Sequence, residues 1–204
     1  MEKKRLVGVA IGVAVLLGTL FSALGVYAKW RAYQARQNAE ILLGELRDLR
    51  PGKATIADAE RLARIQNRFL RKGSPSWNGN VQHFDFWYDN ALLFRLHLAP
   101  RVVFAVRLDV YHGSLSFTGV NLSSGPYPSP RHYGASLLEF SKKNDLDDRV
   151  YSLSQTKGIT VRLYPGATLE QRAQAYSFNL KCLDKIGGCH DDKELLPGPW
   201  QTAK

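Results

Sequence analysis

The sequence predicts an α+β protein with an N-terminal transmembrane helix, two further helices, a mostly antiparallel sheet of about six or seven strands and a C-terminal helix. Three observations predict this fold. Residues 6–28 form an uncharged apolar run, apolar residues then recur at a helical period up to residue 70, and the period falls to two from residue 81. The pattern indicates one membrane anchor followed by a single α+β soluble domain, residues 29–204.

The apolar run is the first element, and it follows a basic N-terminal tail, residues 1–5. As a helix its 23 residues extend about 34 Å, which exceeds a hydrocarbon core of about 30 Å. A cleavable signal peptide is the competing interpretation, because Val26-Tyr27-Ala28 resembles a cleavage site. Signal peptides have only about 7–15 apolar residues, so the length favours an uncleaved signal-anchor in contact with membrane lipid.

Basic residues on the two sides of this anchor are almost equal in number: Lys3, Lys4 and Arg5 precede it, and Lys29, Arg31 and Arg36 follow it. The short leading tail favours an N-terminus inside the cell. The domain is then extracytoplasmic, on the periplasmic side of an inner membrane. Within the anchor, Gly8-x-x-x-Gly12 matches a small-residue motif of helix packing and allows a weak homodimer.

Two helices follow the anchor. Residues 29–49 carry a helical stripe of Ala39, Leu42, Leu43, Leu46 and Leu49. After Pro51-Gly52, a helix capped by Thr55 is expected to continue to residue 70. Opposite its apolar face lies a predicted basic stripe, which consists of Arg61, Arg64, Arg68, Arg71 and Lys72. The stripe is either a solvated face or a surface for an acidic protein or anionic headgroups.

Period-two patterns then predict strands over residues 81–88, 92–98, 102–111, 114–122, 135–141, 149–155 and 159–164. Hairpins are expected at His112-Gly113 and at Thr156-Lys157-Gly158. The longest irregular segment, residues 123–134, is a candidate interface loop or an inert crossover. Its candidate anchors are Tyr127, Arg131, His132 and Tyr133.

The last predicted helix runs from Thr168, which forms a capping pair with Gln171, to Lys185. Cys182 and Cys189 flank the Gly187-Gly188 pair that ends it, and this spacing predicts a disulfide bond in an oxidising compartment. Two buried thiols are the alternative. A metal site with His190 and Asp191 lacks a recognised ligand spacing, so no metal and no cofactor is predicted.

Several residues could support catalysis if the fold brought them together: His83, Asp85, Asp89, His97, Asp109, His112, Ser114 and Ser116. A metal or acid–base site near His83 and Asp85 lacks a third ligand that can be placed. Ser114 and Ser116 lack the context of a nucleophile elbow. Histidine and aspartate residues on the solvent-exposed face of a strand are far commoner than such sites, so no catalytic residue is assigned.

The domain beyond the anchor holds 25 basic and 17 acidic residues, a net charge of +8. This charge favours anionic headgroups, acidic glycans or acidic proteins as partners. Nucleic acid is excluded as a partner, because an exported domain rarely meets it.

The segment Leu49-Arg-Pro-Gly-Lys-Ala-Thr-Ile-Ala-Asp-Ala59 resembles the Gly-x-Thr-x-x-acidic/polar-Val pattern of the SmpA/OmlA family, with one extra residue between Gly52 and Thr55. Members of that family are small envelope lipoproteins of the β-barrel assembly machinery, with two helices on a three-stranded antiparallel sheet. The resemblance covers residues 40–122 and implies an envelope binding module. It assigns no functional residue, and no lipidated cysteine follows the apolar run.

These patterns together predict a membrane-anchored envelope binding or scaffold module without catalytic activity. The alternative is an exported hydrolase or carbohydrate-active enzyme whose site forms only in three dimensions. A single cavity that gathers His83, Asp85, His97 or Asp109 favours the enzyme. A sheet face that keeps these groups apart favours the binding module.

Overall fold

The computed structural model describes residues 2–125, 133–142, 151–154 and 158–201. Helix α1, Glu2–Asp48, is 47 residues long, and at about 1.5 Å per residue it extends about 70 Å. It joins the apolar run and the predicted helix 29–49 without a break. One rigid element therefore serves both as the candidate membrane span and as a helix of the domain core.

The two halves of α1 differ in their surroundings. Val13, Leu16 and Leu20 are at least half exposed, as a lipid-facing helix requires. Further along, Ala39, Leu42 and Leu46 are completely buried, because the helical stripe packs on the sheet. Among the described residues, α1 is the one helix long and apolar enough to span a membrane.

Helix α2, Ile56–Ile65, begins with the predicted cap, where the Asp58 carboxylate accepts a 2.8 Å hydrogen bond from the Thr55 backbone N–H. This bond lowers the pKa of Asp58. The prediction of a helix up to residue 70 is wrong. The chain changes to a 3-10 turn, Asn67–Phe69, and Leu70 then forms an isolated bridge to Phe86.

The described residues form one sheet of seven strands in the order β1-β2-β3-β4-β5-β7-β6. Every neighbouring pair is antiparallel except β5 and β7. The strands are β1 Ser76–Asn78, β2 Val81–Asp89, β3 Val102–Tyr111, β4 Ser114–Ser124, β5 Tyr133–Phe140, β6 Tyr151–Ser154 and β7 Ile159–Leu163. The predicted α+β class and its mostly antiparallel sheet are confirmed.

The predicted strand over residues 92–98 is wrong, because this segment forms the short helix α3, Ala91–Arg95. Asn90 fixes the loop by accepting a 2.7 Å hydrogen bond from the Val102 backbone N–H and donating one of 3.0 Å to the Pro100 carbonyl. Leu93 is buried in a small cluster with Ala28 of α1. The apolar residues here pack on α1 and not in the sheet.

The last predicted helix is also shorter than expected. Helix α4, Leu169–Ala175, starts at the Thr168/Gln171 capping pair as predicted. It ends early because Tyr176 and Phe178 turn into the core. A 3-10 turn, Leu180–Leu183, and the short helices α5, Asp192–Leu195, and α6, Gly198–Gln201, complete the domain.

Cys182 and Cys189 form a disulfide bond, with their Cα atoms 5.4 Å apart. Both residues are buried, and the Ser124 hydroxyl donates a hydrogen bond to the Cys189 carbonyl oxygen. The loop between them contacts α1 through Asp184, whose carboxylate lies 3.6 Å from Lys29 Nζ and 3.3 Å from Arg36 Nη1. The disulfide therefore holds the C-terminal segment against the helix that comes from the apolar run.

Candidate functional site

The outer face of the sheet, opposite the helices, carries two cross-strand charge pairs. In the β2–β3 register, His83 is opposite Asp109 and Asp85 is opposite Arg107. His83 Nδ1 lies 2.7 Å from Asp109 Oδ1, and Arg107 Nε donates a 2.8 Å hydrogen bond to Asp85. The Asp85 hydrogen bond raises the pKa of Arg107.

The structure brings together only some of the candidate catalytic residues. Asp89 pairs with Arg101 at 3.3 Å, and His97 lies beyond α3 with a positive φ of 56°. His112 stacks edge-on against Tyr111 in the β3–β4 turn, while Asp109 contacts His83. Among the described residues, no group of three or more metal-binding side chains occurs.

The two serines do not extend the His83–Asp109 pair into a nucleophilic triad. The Ser116 hydroxyl donates a 2.9 Å hydrogen bond to the Asp109 carbonyl oxygen. The Ser114 hydroxyl lies 3.5 Å from the Ala54 carbonyl oxygen. The outer face therefore presents paired charges on adjacent strands.

A groove of about 410 Å³ lies beside these pairs on the same face. Small residues on β3 and β4, Ala105 and Gly119, form its floor, and the rings of Trp87 and Phe117 rise beside it. A Cβ at position 119 would lie 2.9 Å from the Phe117 ring, so the groove depends on glycine at this position. Further lining comes from Arg71, Asp85, Arg107, Asn121, Ser136 and Leu138.

Trp87 is the exposed aromatic side chain of this groove, with 39% of its surface accessible. The Arg71 guanidinium lies over its ring, 5.7 Å from the centroid, which is cation–π geometry. Sequence reasoning missed Trp87, Ala105 and Gly119 as a set. They lie on three strands, and only the register of β2, β3 and β4 places them together.

The predicted basic stripe does not form one helical face, because α2 ends before its last three members. Arg61 pairs with Glu45 of α1 at 2.9 Å, and Arg71 contacts Trp87 on the outer sheet face. Arg68 lines a cleft beside α1, and it also lines a smaller depression that it shares with Arg71 and Trp87. Arg64 and Lys72 are exposed.

The cleft next to α1, called here the membrane-proximal cleft, has a volume of about 440 Å³. Three arginines from three elements line it: Arg31 of α1, Arg68 of the 3-10 turn and Arg95 of α3. Tyr27, Phe69 and Leu92 supply its apolar surface. The sequence indicates Arg31 only as one of the basic residues that bear on membrane orientation. It does not indicate Arg95 as a site residue, because residues 92–98 are predicted to form a strand.

Of the candidate interface loop, Tyr127, Arg131 and His132 lie outside the described residues. Tyr133 begins β5 and is partly buried against the core. Gly12 lies on α1 with nothing within 4 Å of an added Cβ, whereas the side-chain surroundings of position 8 lie outside the description. The homodimer through Gly8 and Gly12 stays a prediction.

Comparison with known proteins gives no relative: no family model matches the chain, and no curated protein and no solved structure is significantly similar. The SmpA/OmlA resemblance therefore stays a prediction from one short motif.

Proposed function

We propose that the chain is a single-pass, membrane-anchored binding module of the cell envelope that holds a polypeptide partner in the groove on the outer sheet face. One observation carries this proposal. The groove is open, has an exposed tryptophan at its side, and is bordered by charges that already neutralise each other. Tryptophan and arginine are the side chains that most often supply binding energy at protein interfaces.

The chemistry of the groove suits a polypeptide segment. Ala105 and Gly119 leave room for a side chain of the partner, and Trp87 and Leu138 offer apolar contact. Asn121 donates a 2.8 Å hydrogen bond to the Ser136 hydroxyl beside the groove. This combination of an apolar centre with a polar border is the usual arrangement of a protein–protein interface.

The contacts of the candidate catalytic residues support a binding module over a hydrolase. His83 and Asp109 contact each other, Asp85 contacts Arg107, and the Ser116 hydroxyl is used by a backbone carbonyl. His97 lies in a separate loop after α3. The His83–Asp109 and Asp85–Arg107 contacts are cross-strand pairs, and such pairs stabilise a sheet.

The continuity of α1 supports an uncleaved anchor. Ala28, the last residue of the predicted cleavage motif, is completely buried beneath α3 and lies within an unbroken helix. Cleavage after this residue would remove Ala28 from the cluster with Leu93. The disulfide supports an oxidising compartment and hence a periplasmic domain.

The full-length chain should stay in the membrane pellet after an alkaline carbonate wash. A Leu17→Arg variant places a charge at the centre of the apolar run, which disfavours insertion by about 2.5–3.5 kcal/mol, and should release part of the protein. Recovery of a wild-type form that begins at Lys29 would instead show signal-peptide cleavage. Immunoblotting of the fractions and N-terminal sequencing measure both outcomes.

Trp87→Ala should lower the affinity for the groove partner about 30-fold, as expected for an interface residue worth about 2 kcal/mol. Trp77→Ala is the matched control, because Trp77 is 66% exposed but lies on β1 at the sheet edge. The partner is isolated with wild-type protein from detergent-solubilised membranes, and purified components then give the dissociation constants. Gly119→Val, which fills the groove, should also weaken binding. If Trp87→Ala and Gly119→Val bind the partner with the same affinity as the control Trp77→Ala, the groove is not the binding site.

A further inference from the structure

Helix α1 enters the domain without a linker. A Cβ at Gly25 would lie 3.8 Å from the Leu98 side chain, so the domain already contacts the last turn of the apolar run. Three and seven residues later, Ala28 and Ala32 are buried by α3 and its flanking loop. The height of each domain residue above the apolar run is therefore fixed by the helix.

This geometry places the membrane-proximal cleft at the level of lipid headgroups. Arg31 lies three residues past the end of the apolar run, about 4.5 Å along the helix axis. The polar layer on each side of a hydrocarbon core is about 5–7 Å thick. Tyr27, which also lines the cleft, lies at the boundary itself.

The arginines of the cleft have unused charge. Among the described residues, no carboxylate forms an ion pair with Arg31, Arg68 or Arg95. The carboxylate inside the cleft, Asp89, is engaged by Arg101 and by the Ala91 backbone N–H. The cleft therefore presents three positive charges to an anion.

Exposed aromatic and apolar side chains lie on α1 beside the cleft and on segments that pack near it. Tyr27 and Trp30 are about half exposed, with ring centroids 5.9 Å apart. Phe94 on α3 and Ile186 in the disulfide loop are 40% and 63% exposed. Tryptophan and tyrosine concentrate at membrane interfaces, and apolar residues beside them are stable when they enter the same layer.

We propose that the membrane-proximal cleft binds the phosphate of an anionic phospholipid from the membrane that holds α1. The headgroup contacts Arg31, Arg68 and Arg95, and the acyl chains lie along the exposed surface of α1 below Tyr27. This inference rests on the anchor of the proposed function and is independent of the partner groove. It assigns Arg68 a role different from that of a general basic stripe.

The test uses the full-length chain in lipid nanodiscs that contain equal amounts of phosphatidylcholine and phosphatidylglycerol. Native mass spectrometry after release from the nanodisc measures which lipid stays bound. The cleft variant carries Arg31→Gln, Arg68→Gln and Arg95→Gln. The control variant carries Arg61→Gln, Arg64→Gln and Lys72→Gln, and so loses the same charge outside the cleft.

Wild-type and control proteins should retain phosphatidylglycerol in preference to phosphatidylcholine. Each basic residue at an anionic surface contributes a preference for anionic lipid of about fivefold. The preference of the cleft variant for phosphatidylglycerol should therefore be about 100-fold lower than that of the wild-type protein. Equal retention by the two variants would overturn the proposal. Inorganic phosphate, at the same concentration as the lipid phosphate, should not displace the bound lipid. Displacement of the lipid would show that the cleft binds a free phosphate compound. A chain that fails to enter nanodiscs would refute the anchor, whereas entry with no lipid preference would refute the cleft alone.

Discussion

Replacement of Arg172 by Met should lower the free energy of unfolding by about 3–5 kcal/mol, a large part of the stability of a domain of this size. Arg172 and Glu139 form a salt bridge in which each side chain is only 7% exposed. Loss of the guanidinium leaves the Glu139 carboxylate buried without a cation. Urea unfolding of the full-length protein in detergent, followed by tryptophan fluorescence, measures the change.

Arg172 also connects α4 to the end of α1. Its guanidinium donates hydrogen bonds to the carbonyl oxygens of Arg47 and Leu49, at 3.0 and 3.4 Å, which lie where α1 ends and have no helical partner ahead. The Tyr176 hydroxyl donates a 2.7 Å hydrogen bond to Glu139, and burial raises the pKa of Tyr176 to about 12. Arg172 thus provides hydrogen bonds to carbonyl groups at the end of α1 and a cation for the buried Glu139 carboxylate.

Arg61→Ala is the matched control, because Arg61 forms an ion pair with Glu45 in which both side chains are more than one-third exposed. This change should cost under about 1 kcal/mol, since water screens the pair. The double variant Arg172→Met/Glu139→Leu should be more stable than Arg172→Met, because it removes the unpaired carboxylate. If Arg172→Met costs no more than Arg61→Ala, the buried pair does not stabilise the fold.

The elements that the sequence predicts well are those whose own pattern decides their structure. The boundaries of β3 match residues 102–111, because one strand face is wholly apolar there. The apolar stripe of residues 29–49 also predicts a helix. No residue that would interrupt a helix lies between the apolar run and this stripe, and the structure has one continuous helix across residue 28. In both cases local periodicity and burial agree.

The prediction fails where tertiary contacts override the local pattern. Residues 92–98 have an apolar composition suited to a strand, but Leu93 packs on Ala28 and the segment becomes helical. Residues 176–185 have helical spacing, but Tyr176 and Phe178 enter the core and end the helix. Neither contact partner is near in sequence, so no local window contains the deciding information.

The same reason explains how much of the candidate sites could be found in advance. The cysteine pair was predictable because its members are only seven positions apart and two glycines lie between them. The partner groove and the membrane-proximal cleft were not. The groove gathers side chains from β2, β3, β4 and β5, and the cleft gathers them from α1, the 3-10 turn, β2 and α3. Net charge and the position of Arg68 indicated an anionic ligand, but only α3 identifies Arg95 as its neighbour.

The disulfide should also contribute strongly to stability. The Cys182–Cys189 bond closes a loop of eight residues, and in the chain-entropy model this stabilises the folded state by about 2.5 kcal/mol. The double variant Cys182→Ala/Cys189→Ala should lose this amount and more, because both sulfur atoms are buried in the core. Urea unfolding in detergent gives the difference.

Wild-type protein unfolded in the presence of a reductant separates the two contributions, because it keeps both sulfur atoms and loses only the cross-link. Its free energy of unfolding should lie between those of the oxidised protein and the double variant. Thiol counting on denatured, unreduced protein should find no free cysteine. Two free thiols in freshly isolated protein would indicate a reducing compartment and would contradict the periplasmic orientation as well.

Reduction should act on α3 and the loop that follows it, in addition to the disulfide loop. The disulfide loop carries Asp184, which contacts Lys29 and Arg36, and Gly187, whose backbone N–H donates a 3.1 Å hydrogen bond to the Leu98 carbonyl oxygen. These contacts lie around the first turns of α1 beyond the apolar run. We therefore expect reduction to increase amide hydrogen exchange in residues 91–98 together with residues 180–189, while β3 and β4 stay protected. Faster exchange confined to residues 180–189 would show that the loop does not hold α3 against the helix.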